Sequence, residues 1–296
     1  MKYDASEYIK YHVESSKRTD IDPQVEALQF ICDKENLSLE QRFWLCFLFS
    51  TCYCVGTAWL IFTRFPEFRF ARSRDVRLWY TQNHQNLLFQ TDRVYVKNVD
   101  RFCGMIDSYA DYVRKRSSRF SQREAIYDSI ADGKTATQRY DLLVERFDVS
   151  NFGRFSLFLY SDLLNNVCSV PVGVRFNILE AQSARNGLAL AIGREDLYTG
   201  RKFNRIRGSL SSSEKSDLID GFNQVVQELS ALAIKPRHKT LWSIETCLCA
   251  YRKWKEDGRR WVGYYVERYA KELKKLSQLN PNANMSVLYG FCNSLR

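Results

Sequence analysis

The pattern that most restricts this chain is a helix-start signature that recurs along it. Ser38 with Gln41, Ser121 with Glu124, Thr135 with Gln138 and Ser211 with Glu214 each place a hydroxyl three residues ahead of a Glu or Gln. Such a pair can exchange side-chain-to-backbone hydrogen bonds and satisfy amides that the first turn of a helix leaves open. Asp22-Pro23 predicts a further start, opening a run to Cys32, because proline is tolerated at the first helical position. After Ser211 the apolar residues Leu218, Phe222, Val225, Leu229 and Leu232 recur at the helical period, so that segment reads as an amphipathic helix. No run alternates apolar and polar residues as a half-buried strand does, and no repeat period is visible. The expected fold is all-α: a single large helical domain over 1–296, with room for two lobes, 1–130 and 131–296, around a cleft.

With 45% hydrophobic and 14% aromatic residues, the chain can bury a substantial core, which excludes a disordered chain. The most apolar window, "FWLCFLFSTCYCVGTAWLIF" (43–62), has the length of a membrane span. It carries Ser, Thr and Tyr, and Gly56 interrupts it, so it reads as one long buried helix and no membrane partner is expected. The N-terminal "MKYDASEYIKYHVESSKR" is polar and charged throughout, so no signal peptide is expected either. The nine cysteines are scattered. Cys52/Cys54 and Cys247/Cys249 are C-x-C pairs rather than the C-x-x-C of zinc knuckles, and only His12, His84 and His238 could assist them. They read as reduced core thiols.

A formal net charge of +10 points to a polyanionic partner, nucleic acid first. Between Phe62 and Trp79, Arg64, Arg69, Arg72, Arg74 and Arg77 alternate with aromatic residues, a combination suited to phosphates and base faces. Basic clusters recur at 114–123, 201–207 and 252–260. Residues 135–167 read as a helix, a short turn containing Asn151 and Gly153, and a second helix starting near Arg154, whose free amides could meet a phosphate. This stretch resembles the helix–hairpin–helix element of DNA glycosylases, which has glycine where Asn151 stands. An ordinary αα-hairpin accounts for the same residues equally well.

Several polar residues sit on otherwise apolar helices: Tyr53, Thr57 and Trp59, Tyr160 and Asp162, Glu245 and Thr246. A further group, Glu180, Ser183, Arg185 and Asn186, falls within "NILEAQSARNGLALAI" (177–192). A buried carboxylate needs a cation or donors, or its pKa rises until it is neutral. Asp162, Glu180 and Glu245, together with Arg185, are therefore expected to turn inward toward a shared polar site. The nucleophile-elbow, P-loop and HExxH patterns are absent, which argues against nucleotide hydrolysis of the Walker type.

Four blocks carry a family likeness: "QRFWLCFLFSTCYCVGTAWLIFTRFPEF" (41–68), "LLFQTDRVYVK" (87–97), "NFGRFSLFLYSDLL" with "LEAQSARNGL" (151–188), and "LWSIETCLCAYRKWKEDGRRWVGYY" (241–265). They resemble the bacteriophage amino acid:DNA transferases, also called α-glutamyl/putrescinyl-thymine pyrophosphorylases. The resemblance implies a helical enzyme acting on double-stranded DNA in the cytoplasm of an infected bacterial host. In that DNA a thymine methyl has been hydroxylated and pyrophosphorylated. The amine of an amino acid or polyamine then displaces pyrophosphate and bonds to the methylene. Under that reading Glu180 or Asp162 serves as the base, with Asp92 and Glu245 as further candidates. Arg185 and Asn186 hold pyrophosphate or the amino-acid carboxylate, and Trp59, Tyr53, Tyr160, Ser183 and Tyr264 line the pocket. Arg154, Gly153, Arg259, Arg260 and Arg64 contact DNA or pyrophosphate. No metal ligand set and no cofactor are evident, and Mg2+ could enter only with the pyrophosphate. Two rivals stay open. One is a non-catalytic DNA-binding protein; the other is a base-excising glycosylase, against which position 173 is glycine where a catalytic aspartate would be wanted.

Overall fold

The structure, a computed structural model, describes residues 3–70, 73–199 and 209–295. Among the described residues there is no β-strand. The helices in chain order are α1 (Ser6–Lys17), α2 (Pro23–Lys34), α3 (Leu39–Cys52), α4 (Val55–Arg64), α5 (Ser73–Asn83), α6 (Val99–Arg116) and α7 (Gln122–Ile130). They continue as α8 (Ala136–Arg146), α9 (Arg154–Asn166), α10 (Gln182–Ala191), α11 (Ser212–Ser230), α12 (Leu241–Asp257), α13 (Tyr264–Leu279) and α14 (Ser286–Ser294). The expected all-α class is what the chain adopts. None of these helices is long and apolar enough to cross a membrane.

The chain divides into two compact units: Met1–Pro23 with Phe176–Arg268, and Gln24–Arg175 with Tyr269–Arg296. Each is therefore assembled from two stretches of chain, and the boundaries fall at 23/24, 175/176 and 268/269 rather than at 130/131.

The helix starts follow the local chemistry. Ser38, Thr135 and Ser211 each close a full capping box with Gln41, Gln138 and Glu214. Ser121 caps α7 through the Glu124 amide, and Glu40 of α3 reinforces that start. Its carboxylate accepts from the Ser121 hydroxyl (2.6 Å) and from the amides of Gln122 (2.9 Å) and Arg123 (3.1 Å). A carboxylate at a helix N-terminus meets both open amides and the positive end of the dipole.

The apolar run 43–62 is not one helix but two. Tyr53 adopts a left-handed conformation (φ 47°) that ends α3, and the Val55 amide that opens α4 donates to Gln24 Oε1 at 2.8 Å. Gly56, which looked like the interruption, lies inside α4, where it makes room for the Leu276 side chain. Between α8 and α9 the turn needs one left-handed residue, and Asn151 supplies it (φ 61°). Gly153 sits at the N-cap of α9 with an ordinary φ of −65° and open space around it, so the turn does not require glycine there.

In the unit containing the N-terminus, the core joins α1, α10, α11 and α12 through residues such as Tyr8, Leu188, Phe222, Val225, Ile244 and Leu248. The period read after Ser211 lands on this core: Leu218, Phe222, Val225 and Leu229 are buried. The tightest approach is between α10 and α12. A methyl group at Gly187 would overlap the Leu248 carbonyl oxygen, so glycine sets the spacing of the two helices.

Candidate functional site

Because α10 and α12 touch backbone to backbone at Gly187, polar side chains near that crossing are forced into proximity. Helix α12 begins at a Thr240 cap and carries Glu245, Cys249 and Lys253 four residues apart, one beneath another on a single face. Ser183, one turn before Gly187 on α10, lies within hydrogen-bond reach of the Cys249 thiol.

Glu245 is 5% exposed. The Cys249 thiol, a weak donor, donates to its Oε1 at an ordinary S···O distance (3.3 Å), the Thr246 hydroxyl donates to its Oε2 over a long 3.4 Å, and among the described residues it has no ion-pair partner. Burial raises its pKa to about 7, with Asp22 adding to the rise. The two hydrogen bonds and Lys253 act in the opposite direction. Asp22 lies in the same unit and accepts the Trp242 indole N–H at 3.0 Å. Burial also holds the Cys249 thiol well above its usual range, so it is a neutral donor.

Two turns along the same face, Lys253 is partly buried. Its ammonium donates to the Tyr265 hydroxyl at 3.5 Å and lies 5.7 Å from the centre of that ring. Burial lowers its pKa, and the positive neighbours Arg259, Arg268 and Arg252 lower it further. Other cations of this stretch have carboxylate partners: Arg252 with Glu256 (3.6 Å), Lys255 with Glu7, and Arg260 with Glu267. Lys253 has none among the described residues. Arg259 lies over the Tyr264 ring at 4.4 Å, and Tyr264 stands edge-on to Tyr265.

The residues anticipated from "EAQSARNGL" separate. Glu180 is exposed in the turn before α10, where its carboxylate accepts from Asn177 at 2.7 Å, so it is not an inward acid on a core helix. The helix starts only at Gln182, after the acid. Asn186 is buried, and both ends of its side-chain amide are engaged with Thr199. Its nitrogen donates to the Thr199 carbonyl (2.7 Å) and its oxygen accepts from the Thr199 amide (3.1 Å). Arg185 donates to the Leu179 carbonyl and to the Thr199 hydroxyl (2.7 Å), and its buried Nε has no partner among the described residues. Burial lowers its pKa. Two residues from Ser183, it leaves the helix on the opposite side from that hydroxyl. Ser183 alone of this group joins Glu245.

The remaining anticipated residues belong to the other unit. Asp162 is buried on α9. Tyr160 is sealed in an aromatic core, its hydroxyl 3.0 Å from that of Tyr109 and its ring among Phe47, Phe147 and Phe152, so it lines no pocket. Trp59 stacks on Phe62 and donates its indole N–H to the Asn284 carbonyl, and Tyr53 ends α3. Arg154 and Arg64 are exposed, Arg64 beside Phe65. The Asp92 side chain and the 201–207 cluster lie outside the described residues. Other arginines of the basic clusters form surface pairs, Arg69 with Glu67, Arg77 with Asp100 and Arg114 with Asp111. Pairs this exposed are weak enough to exchange for phosphates. Among the described residues no group of three His, Cys, Asp or Glu is arranged to hold a metal ion.

From sequence Cys249 is a core thiol and Lys253 one residue of the basic cluster 252–260, with no tie to Glu245, and Tyr265 has no assigned role. The spacing of 245, 249 and 253 was a usable signal. The contribution of Tyr265 comes from another helix and was not.

The profile of the amino acid:DNA transferases matches residues 17–259. A serinyltransferase of Salmonella phage ViI is 23% identical over 291 residues, covering 91% of this chain, and the match spans 66% of that relative's length.

Proposed function

This chain belongs to the amino acid:DNA transferase family, and from that premise we propose that it modifies a thymine-derived base in phage DNA by displacing pyrophosphate from 5-(pyrophosphoryloxymethyl)uracil with the amine of an amino acid, serine or a similar one, or of a polyamine. The nitrogen lone pair forms the new C–N bond to the methylene. The C–O bond breaks, its electron pair leaving with the pyrophosphate, and the nitrogen releases one proton. Reaching the methylene is easiest with the base flipped from the stack.

The observation that carries this reading is Glu245: a buried carboxylate held by a thiol and a hydroxyl, with no cation among the described residues bonded to it. With a pKa of about 7 it is matched to accept the amine proton near neutral pH. A protein that merely gripped DNA would gain nothing from such a group, because a half-satisfied buried acid destabilises its fold. Ser183 and Cys249 fix the carboxylate and its hydrogen-bond donors, and the arginine-rich surface meets the duplex. Asn186, engaged with Thr199, and Arg185 secure the segment after α10 and act as positioning residues. Any Mg2+ accompanies the pyrophosphate.

The test is to incubate the chain with duplex DNA carrying the pyrophosphorylated base and, separately, glycine, serine, glutamate or putrescine, followed by mass analysis of the nucleosides. A nucleoside carrying the amine, with matching release of pyrophosphate, is expected for at least one donor. DNA that is bound but unchanged by every amine would favour the non-catalytic binder.

A further inference from the structure

Lys253 is a partly buried ammonium with no ion-pair carboxylate among the described residues, and three arginines bear on it: Arg252, whose charge Glu256 offsets at 3.6 Å, Arg259, which lies over the Tyr264 ring at 4.4 Å, and Arg268. Like charges gathered in a half-buried place repel, and Coulomb energies there are several times those in water. The Tyr265 hydroxyl offers the ammonium only one neutral contact. An α-amino acid brings a single negative charge and an ammonium of its own, so it relieves this crowding poorly. A diphosphate, with several negative oxygens and no cation, relieves it well. The position is also suitable: Lys253 lies on the same helix face as Glu245, about 12 Å further along the axis, and its long stem leans back over Cys249 toward it.

We propose that Lys253, together with Arg259 and Arg268, forms the seat of the pyrophosphate leaving group, with Tyr265 orienting the lysine ammonium. This rests on the transfer reading for its purpose, but not for its test. In the reaction, the C–O bond between methylene and pyrophosphate breaks heterolytically. Charge grows on the departing oxygen against these cations, while the amine proton goes to Glu245 on the other side of the reacting carbon. Cations aimed at a developing charge stabilise the transition state more than the ground state.

The experiment is calorimetric titration of inorganic pyrophosphate into the full chain and three variants, with no DNA turnover needed. The wild-type protein binds pyrophosphate more tightly than orthophosphate. Lys253→Gln weakens that binding roughly ten- to hundredfold, the loss of one charge-assisted contact. Lys253→Arg restores most of it, which separates a charge effect from a folding defect, and circular dichroism checks that fold. Lys255→Gln removes the same formal charge from a lysine paired with Glu7 and leaves affinity near wild type. Binding of an unmodified duplex changes little in Lys253→Gln. The proposal is overturned if Lys253→Gln binds pyrophosphate as wild type does, if Lys255→Gln is equally impaired, or if duplex binding falls as much as pyrophosphate binding, which would make the seat one for backbone phosphate. Failure to transfer any amine with this pattern intact would remove the reaction and leave the seat.

Discussion

Two polar centres, one in each unit, are built from the same kind of sequence and end in opposite states. In the unit that begins at Gln24, Tyr160 on apolar α9 meets Tyr109, whose hydroxyl donates to Gln122 Oε1 (3.0 Å), and Gln122 in turn donates to the Glu40 carbonyl (2.9 Å). Each member finds a neutral partner at good distance, inside stacked rings, and the network closes. In the other unit, Glu245 on apolar α12 gets a thiol and a hydroxyl at 3.3 and 3.4 Å, and Lys253 gets a phenol at 3.5 Å. A closed network contributes stability; a partly satisfied acid and an uncompensated lysine cost it. Hydrogen-bonding capacity left over in a folded interior is therefore the better mark of chemistry than the presence of polar residues.

That contrast can be broken at three positions. The largest effect is expected from Glu245→Gln, which keeps shape but cannot accept a proton; transfer should fall about 10²- to 10⁴-fold, read from the initial rate of nucleoside adduct formation. The same substitution should stabilise the fold. Folded Glu245 holds its proton up to about pH 7, while the unfolded side chain releases it near the ordinary glutamate value of 4.5. The native protein therefore loses stability as pH rises between these values and stays lowered above them. Urea melts above pH 7 should show the variant gaining up to about 3 kcal/mol, and below the lower value no gain. Gly187→Ala drives a methyl into the Leu248 carbonyl and should cost about 1–3 kcal/mol while lowering transfer, because α10 and α12 must separate. Smallest is Tyr160→Phe, which removes one hydroxyl from the closed network. A loss of about 1 kcal/mol with transfer unchanged is expected, and a variant that melted normally but lost activity would move the chemistry to the other unit.

Much of the fold was legible because it is local. A hydroxyl three residues before a glutamine or glutamate specifies a helix start with no help from the rest of the chain, and the Ser38, Thr135 and Ser211 boxes close as expected. The break at Tyr53 was not legible, since a left-handed tyrosine has no compositional mark, while Gly56 nearby has one and stays helical. The site was half legible. Glu245 and Ser183 stand out as polar residues on apolar helices. Lys253 is concealed within "RKWKEDGRR", where it resembles any solvated lysine. Its character depends on Tyr265, Arg259 and Arg268, beyond the end of its own helix, and on having no carboxylate partner among the described residues, which only packing decides. Glu180 misled for the converse reason: its neighbours are polar and varied, but α10 begins two residues too late to carry it inward.

The central claim is that Glu245, ionising near pH 7, accepts the proton of the attacking amine. The most direct measurement is the rate of adduct formation on pyrophosphorylated DNA under saturating amine, followed from mildly acidic to mildly alkaline buffer for the wild-type chain and for Glu245→Gln. The wild-type rate should climb with pH and level off above about 7, and the residual rate of the variant should lack that limb. A variant matching the wild-type profile in height and shape would contradict the claim.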